Sequence, residues 1–396
     1  MTVLYLTNNV QLAGTARILL SWITLGERHG IRACVAVQKR GTLLERLDEL
    51  AVPSVVTAMP WPDRRRPAAS LVTAWRLARW ARRQGVTLIH CNEHDVYPFA
   101  VLVRLFLRVP VVCHVRFALD RGFATWAFRG WKQPQALLWT SEQQRRDSAE
   151  AIAGVVPANR QHLVRLGPDP QIFNPATDER PAARRALGLG DEQVAIGMAS
   201  ALRPIKRVGD FIDVVETLGR DDPRIVGLIA GGAVTGEEVY AEKMRGRVLQ
   251  SPLGERLRWL GHVEAVAPFL RVLDLFVSTS EYETFGNSVC EAMACRVPVV
   301  AYAGGSVAEV VGDAGVIVPT GDLHGLMEAA RLYVTDKGAR DDAGLRGYRR
   351  ATTEFSPQAS FRSLLEAYGE VTGQSSSLDG FTAAANEIER GSPRKS

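Results

Sequence analysis

Residues 273–322 read LDLFVSTSEYETFGNSVCEAMACRVPVVAYAGGSVAEVVGDAGVIVPTGD, and this stretch decides the fold. A run rich in apolar and β-branched residues, Leu273–Ser278, ends in a polar loop, Glu281-Tyr282-Glu283-Thr284-Phe285-Gly286. A helix-forming segment begins near Asn287, and two further strand-like runs follow, Val297–Tyr302 and Gly315–Val318. Short buried strands separated by helices are the repeating unit of a parallel sheet, and ligands of such sheets bind beyond the carboxyl ends of the strands. The loop 281–286 lies at such an end. Its Gly286 lets a ligand approach the backbone closely. The helix start at Asn287–Ser288 offers free N–H groups at a positive dipole end, suited to an anion. Glu291 stands among Val289, Cys290, Ala292, Met293 and Ala294, where an ionised carboxylate is costly unless something hydrogen-bonds to it. A neighbouring backbone amide would serve, and so would the hydroxyl pair of a ligand such as a ribose.

The same alternation extends outward. Val3–Leu6, Ala33–Val37, Thr87–His90 and Val109–His114 read as strands, with helices over Ala16–Arg28 and Ser70–Gln84. A break at Gly167-Pro168-Asp169-Pro170 and Pro175 is followed by a restart through Gln193–Met198, Ile225–Ala230 and Leu257–Leu260. The pattern implies two α/β, parallel-sheet, Rossmann-like domains, at 1–166 and 175–355. Ser356–Val371 reads as a last helix, and the Ser- and Gly-rich tail 373–396 reads as disordered.

Bulk properties agree with an ordinary globular protein. The chain has 396 residues, 46% apolar and 23% charged, enough for two cores. No apolar run reaches the ~18–20 residues of a membrane span. The opening Met-Thr-Val-Leu-Tyr-Leu reads as a strand and not as a signal peptide. The five cysteines are scattered without a Cys-x-x-Cys pair, which points to a reducing, cytoplasmic setting. Residues 1–170 hold 23 Lys and Arg against 12 Asp and Glu, whereas the remainder holds 25 against 31. The halves are thus suited to different ligands. Biased base composition reads equally well, since only six of the 48 basic residues are Lys.

The segment EYETFGNSVCEAMACRVPVVAYAGGSVAEVVGDAGVIVPTGD resembles the family 4 glycosyltransferases, a retaining family of GT-B fold, nearly end to end. Their signature is two glutamates separated by seven residues, and Glu283 and Glu291 have that spacing. Arg296 departs from the pattern, which has a glycine before the Val-Pro-Val-Val strand. The resemblance implies two domains facing across a cleft, the acceptor domain first and the donor domain second. It also implies a crossover helix, 356–372, that packs back on the first domain. It places Glu283 at the transferred sugar, Glu291 at the ribose, and the amides of Phe285, Gly286 and Asn287 at the diphosphate. Glu309 also matches a family glutamate, although Ser306-Val-Ala-Glu309 reads as a capping box.

A diphosphate needs cations or a metal. No Asp-x-Asp occurs in the chain, nor a His/Asp/Glu cluster at ligand spacing, so no metal or other cofactor is expected. The resemblance offers Arg203 and Lys206 instead, with Arg207 as a solvated neighbour; the family often carries its arginine slightly earlier, where this chain has Ala201. In the first half, Gly-x-Gly-x-x-Gly is absent. Gly14 remains from the family's Gly-Gly, beside Ala13, and is expected at the donor phosphate. His114 and Arg116 share one face of a strand. Family members have an active-site histidine near this strand end; anchored on Pro110 it falls at Arg116, so either residue qualifies, His114 as a catalytic group or Arg116 on the acceptor side. Arg and Trp interleave over 75–83 and 116–146. They suit an anionic membrane surface or a polyprenyl-phosphate acceptor, and equally a helix that packs its Trp and solvates its Arg.

The expected function is metal-independent, retaining transfer of a sugar from a nucleotide-sugar donor to a hydroxyl of a sugar, a lipid-linked or another acceptor. Peripheral contact with the inner face of the membrane is expected, and no nucleic-acid partner. A nucleotide-sugar epimerase or hydrolase and a non-catalytic binding subunit are the rival readings. Intact Glu283, Glu291 and Lys206 weigh against the last.

Overall fold

A computed structural model describes residues 1–12, 14–62 and 67–373. The chain divides into two compact units. The first comprises Met1–Thr140, Asp147–Arg165 and the C-terminal segment from Pro357; the second comprises Ser141–Arg146 and Leu166–Ser356. Apart from Gly373, the expected disordered tail lies outside the described residues.

Among the described residues the first unit holds seven strands: β1 (Thr2–Thr7), β2 (Arg32–Val37), β3 (Ser54–Val56), β4 (Leu88–Cys91), β5 (Val111–Val115), β6 (Ala136–Trp139) and β7 (Gln161–Leu163). They form one parallel sheet in the order β3-β2-β1-β4-β5-β6-β7. The direction of winding reverses between β1 and β4, and the carboxyl ends of those strands flank the crevice where such a sheet accepts a ligand. Every residue of β1, β4, β5 and β6 is buried, because helices cover both faces of a parallel sheet. One of these covers is the last helix, Pro357–Thr372. It packs on the helix Gly14–Arg28, where Trp22 Nε1 donates to Ser360 Oγ at 3.1 Å, and Tyr368 reaches the buried ring of His90.

The second unit repeats the plan with β8 (Val194–Ala199), β9 (Ile225–Ala230), β10 (Leu257–Gly261), β11 (Leu275–Ser278), β12 (Val299–Tyr302) and β13 (Val316–Val318), in the order β10-β9-β8-β11-β12-β13. All pairs are parallel. Ile196, Phe211, Ile229, Leu275, Val277 and Tyr302 centre its core. The switch of winding falls between β8 and β11, so the loops after these strands meet.

Candidate active site

In the second unit the loops after β8 and β11 are laced together. Thr279 Oγ1 donates to Lys206 O at 2.7 Å, and Glu281 N donates to Ile205 O at 2.8 Å. The pair Gly304-Gly305, after β12, lies against the same loop. A Cβ at Gly304 would stand 2.2 Å from Ser280 O, and one at Gly305, where φ is +60°, 2.3 Å from Glu283 O. Only glycine permits that approach. Glu283 pairs with Gly305 as an isolated bridge, and its carbonyl accepts from Ser306 N at 2.8 Å. The backbone of the first glutamate is thereby fixed on two sides.

Its side chain is fixed as well. Lys206 Nζ stands 2.5 Å from Glu283 Oε1, and Ser280 Oγ donates to the same oxygen at 2.8 Å. Both side chains of the ion pair are 18% exposed, sheltered and still reachable. Arg203, by contrast, is exposed, and its side chain makes no hydrogen bond or ion pair among the described residues, although its carbonyl accepts from Lys206 N at 2.9 Å. Arg207 corrects the expectation of a solvated neighbour. Its guanidinium bonds Asp210 at 2.8 Å and Glu281 at 2.9 Å and lies over the Tyr302 ring. Those bonds offset a left-handed backbone, φ 45°, that a non-glycine residue adopts at a cost of roughly 1–2 kcal/mol. Arg207 is a latch between the two loops.

The helix Asn287–Ala294 starts from Gly286, whose φ of 93° and ψ of 54° turn the chain into the helix. Asn287 and Glu291, four apart, share the half-buried face, while Val289, Cys290, Ala292, Met293 and Ala294 are buried. The N–H groups of Phe285, Gly286 and Asn287 meet no acceptor among the described residues. They are donors at the positive end of a helix. The Phe285 ring turns the other way, into the core, edge-on to Phe355. What Phe285 offers a ligand is its backbone. The expected capping box does not form: Ser306 Oγ donates to Thr284 O at 2.8 Å and pairs with Ser141 Oγ instead of capping its helix. The Glu309 carboxylate accepts from Gln143 N at 3.0 Å, at the start of the helix Glu142–Asp147.

In the first unit, Gly14 opens the helix Gly14–Arg28 and is half-buried. His114 is corrected. It lies inside β5 with 0% exposure, its ring stacked on Trp22 and on His90. Burial and the nearby Arg116 charge hold it well below the usual histidine range, so it is neutral. Strand alternation gave its face, but within the first unit that face is covered by the Trp22 and His90 rings. Arg116, one residue past the end of β5, is 3% exposed. It donates from Nε to Asn92 O at 2.9 Å and from Nη2 to Asn92 Oδ1 at 3.0 Å, while Nη1 has no partner. Beside it stands Glu93, which the sequence reading passed over; its signal was a carboxylate two residues beyond a buried strand. The Trp/Arg interleaving divides in two. Trp139 and Phe128 are core, whereas Phe117, Trp126, Trp131 and Trp75 are exposed. Among the described residues, no three His, Cys, Asp or Glu side chains gather as metal ligands.

Residues 179–350 match the family described as glycosyl transferases group 1, and residues 13–173 match the glycosyl transferase 4-like domain. The chain is 29% identical over 295 residues to the lipopolysaccharide core biosynthesis mannosyltransferase LpsB of Rhizobium meliloti, covering 73% of this chain and 81% of that protein. It is 29% identical over 281 residues to a D-inositol 3-phosphate glycosyltransferase of Geodermatophilus obscurus, covering 66% of this chain and 58% of that one. The crystal structure of Anabaena HepE in complex with UDP superposes with a TM-score of 0.80 over 93% of this chain and 100% of that chain, at 19% identity, a likeness of fold. The chain belongs to the family 4-like glycosyltransferases of GT-B fold. It is a glycosyl-transferring enzyme.

Proposed function

We propose that this enzyme moves a sugar from a nucleoside-diphosphate sugar, held by the second unit, to an acceptor hydroxyl, without a metal ion and with retention of anomeric configuration. The observation that carries the reading is the Lys206–Glu283 pair at the switch point, where family resemblance puts the sugar and the diphosphate. Glu283 accepts from the sugar hydroxyls, and Glu291 accepts from the ribose. Lys206, Arg203 and the amides of Phe285, Gly286 and Asn287 take the charge that grows on the departing diphosphate. In the step itself the acceptor oxygen bonds to the anomeric carbon as the bond from that carbon to the phosphate oxygen breaks. The acceptor proton passes to the departing phosphate, so no protein nucleophile is needed. The UDP-bound structure of HepE supports a nucleotide donor.

The acceptor is polyhydroxylated and anionic or lipid-linked. The basic first 170 residues support this, as do relatives named for lipopolysaccharide core and inositol phosphate. No described helix is long and apolar enough to cross a membrane, and the exposed Phe117, Trp126 and Trp131 suit contact with the inner face of one. A thermal-shift panel of UDP, GDP and ADP in EDTA tests the donor site, since a ligand at ~100 times its Kd adds ~2.7 kcal/mol. Co-sedimentation with anionic and neutral vesicles, at low and high salt, tests the surface. Equal capture by both would leave a freely diffusing acceptor.

A further inference from the structure

The pairing of β1 with β4 ends at Leu6 and Cys91, with one more bond from Asn92 N to Leu6 O at 2.9 Å. Beyond that point the first residues leaving β1 are held mainly from the segment after β4, by Glu93 and by Asp95, which accepts from the Asn8 side-chain amide; further on, Leu43 N donates to Val10 O at 3.1 Å. Glu93 accepts from Thr7 Oγ1 at 3.1 Å, from Asn8 N at 3.2 Å, and from the side-chain amides of Asn9 and Asn92. Glu93 is 2% exposed and Thr7 0%. Burying an ionised carboxylate costs several kcal/mol unless donors surround it. Here three of the donors, Thr7, Asn8 and Asn9, belong to the end of β1 and the chain leaving it, and the fourth, Asn92, precedes Glu93 itself.

We propose that Glu93 is a positioning residue for transfer: its carboxylate fixes the chain at Thr7–Asn9, where it leaves β1, and so sets how the segment leading to Gly14 approaches the substrate. The proposal rests on the reading of Gly14 as a substrate-facing residue. The ionised carboxylate accepts at both oxygens. Once protonated, one oxygen turns a hydrogen toward its donors, and the loop loses a bond. Four ionisable groups face Glu93. Arg116, just past β5, favours the ionised form, and Asp95 opposes it; the Cys91 and Cys113 thiols are kept neutral by burial. Burial outweighs the rest and pushes the Glu93 carboxyl up to about 7. The loop is therefore gripped more firmly as pH rises through neutrality. Because the folded value is raised, the matching contribution to global stability is full below the unfolded carboxyl's pKa, ~4.5, and is lost as pH rises through about 7.

The test is kcat/KM for the donor from pH 5.5 to 8.5, together with amide exchange of the peptide 7–14 corrected for intrinsic rates. The wild type should show an inflection near 7, with activity about tenfold lower on the acid side, the worth of one hydrogen bond to a charge. Glu93→Gln should be flat at the acid level, and Glu93→Asp should restore an inflection. Thr7→Val removes one donor to Glu93 at a fully buried position, so it should move the inflection to higher pH. An unaltered inflection in Glu93→Gln, or an unmoved one in Thr7→Val, overturns the proposal. Exchange protection that follows Glu93 while Lys206→Ala transfers normally would support the anchor and count against the donor site.

Discussion

Lys206 Nζ lies 2.5 Å from Glu283 Oε1, so two residues expected to serve different parts of one substrate hold each other before it arrives. Lys206→Ala should lower kcat/KM by roughly 10–100-fold, about 1.5–3 kcal/mol, the range for a hydrogen bond to a charged group. The double variant with Glu283→Gln should lose less than the product of the two single losses, because each deletion already breaks the same pair. Strictly additive losses in steady-state kinetics would mean that the pair is incidental.

Glu283→Gln and Glu291→Gln should differ in kind. A group that meets the sugar in the transition state lowers kcat when removed; one that holds the ribose raises donor KM. Initial-rate kinetics with the donor varied separates them. A rise in KM alone for both would remove the sugar-side role from Glu283.

Transfer should persist undiminished in EDTA after passage over a chelating resin. The expectation comes from Lys206 and the open amides at 285–287, which supply the positive end that a diphosphate requires. Loss of activity restored by Mg²⁺ or Mn²⁺ would transfer the phosphate site to a metal.

His114→Phe should leave kcat/KM at neutral pH unchanged and make the protein more resistant to acid. His90, under burial and the Arg116 charge, is pulled down to about 3, and His114 also lies well below its usual range. Between the unfolded histidine's pKa, ~6.5, and these depressed values, the unfolded chain takes up protons that the folded chain refuses, so stability falls as pH falls. Removing one such site should ease the slope by up to about 1.4 kcal/mol per pH unit. Urea unfolding at pH 7, 5.5 and 4.5 measures it; Glu93 acts in the opposite sense but equally in both proteins. A fall in kcat without a change in slope would return His114 to the catalytic set.

Arg296 has φ 61°, the conformation a glycine adopts freely. Arg296→Gly relieves ~1–2 kcal/mol of backbone cost and adds ~0.5–1 kcal/mol of unfolded-state entropy, so it should be stabilising by no more than about 1.5 kcal/mol. Thermal unfolding decides the sign, and a clear loss would show that the Arg296 side chain contributes more than its backbone costs.

What the sequence by itself determined is what is local. The turn Thr284–Gly286, the helix from Asn287, the seven-residue gap between the two glutamates and the strands β11 to β13 are encoded within one continuous stretch, where periodicity and glycine placement act at short range. The edge strands β3 and β7, as short as β13, lie outside that stretch and have no such flanking pattern to mark them, and β6 is hidden in a segment whose aromatics and arginines read as surface. Only the tertiary structure decided the partners. Lys206 meets Glu283 because β8 lies beside β11, and Glu93 meets Asn8 because β4 lies beside β1. His114 is covered because Trp22 and His90 close over it, and the last helix brings Ser360 and Tyr368 to those two rings. Alternation along a strand states which way a side chain points. Whether that side is solvent, ligand or core depends on the element laid across it, and in a parallel sheet that element comes from a distant part of the chain.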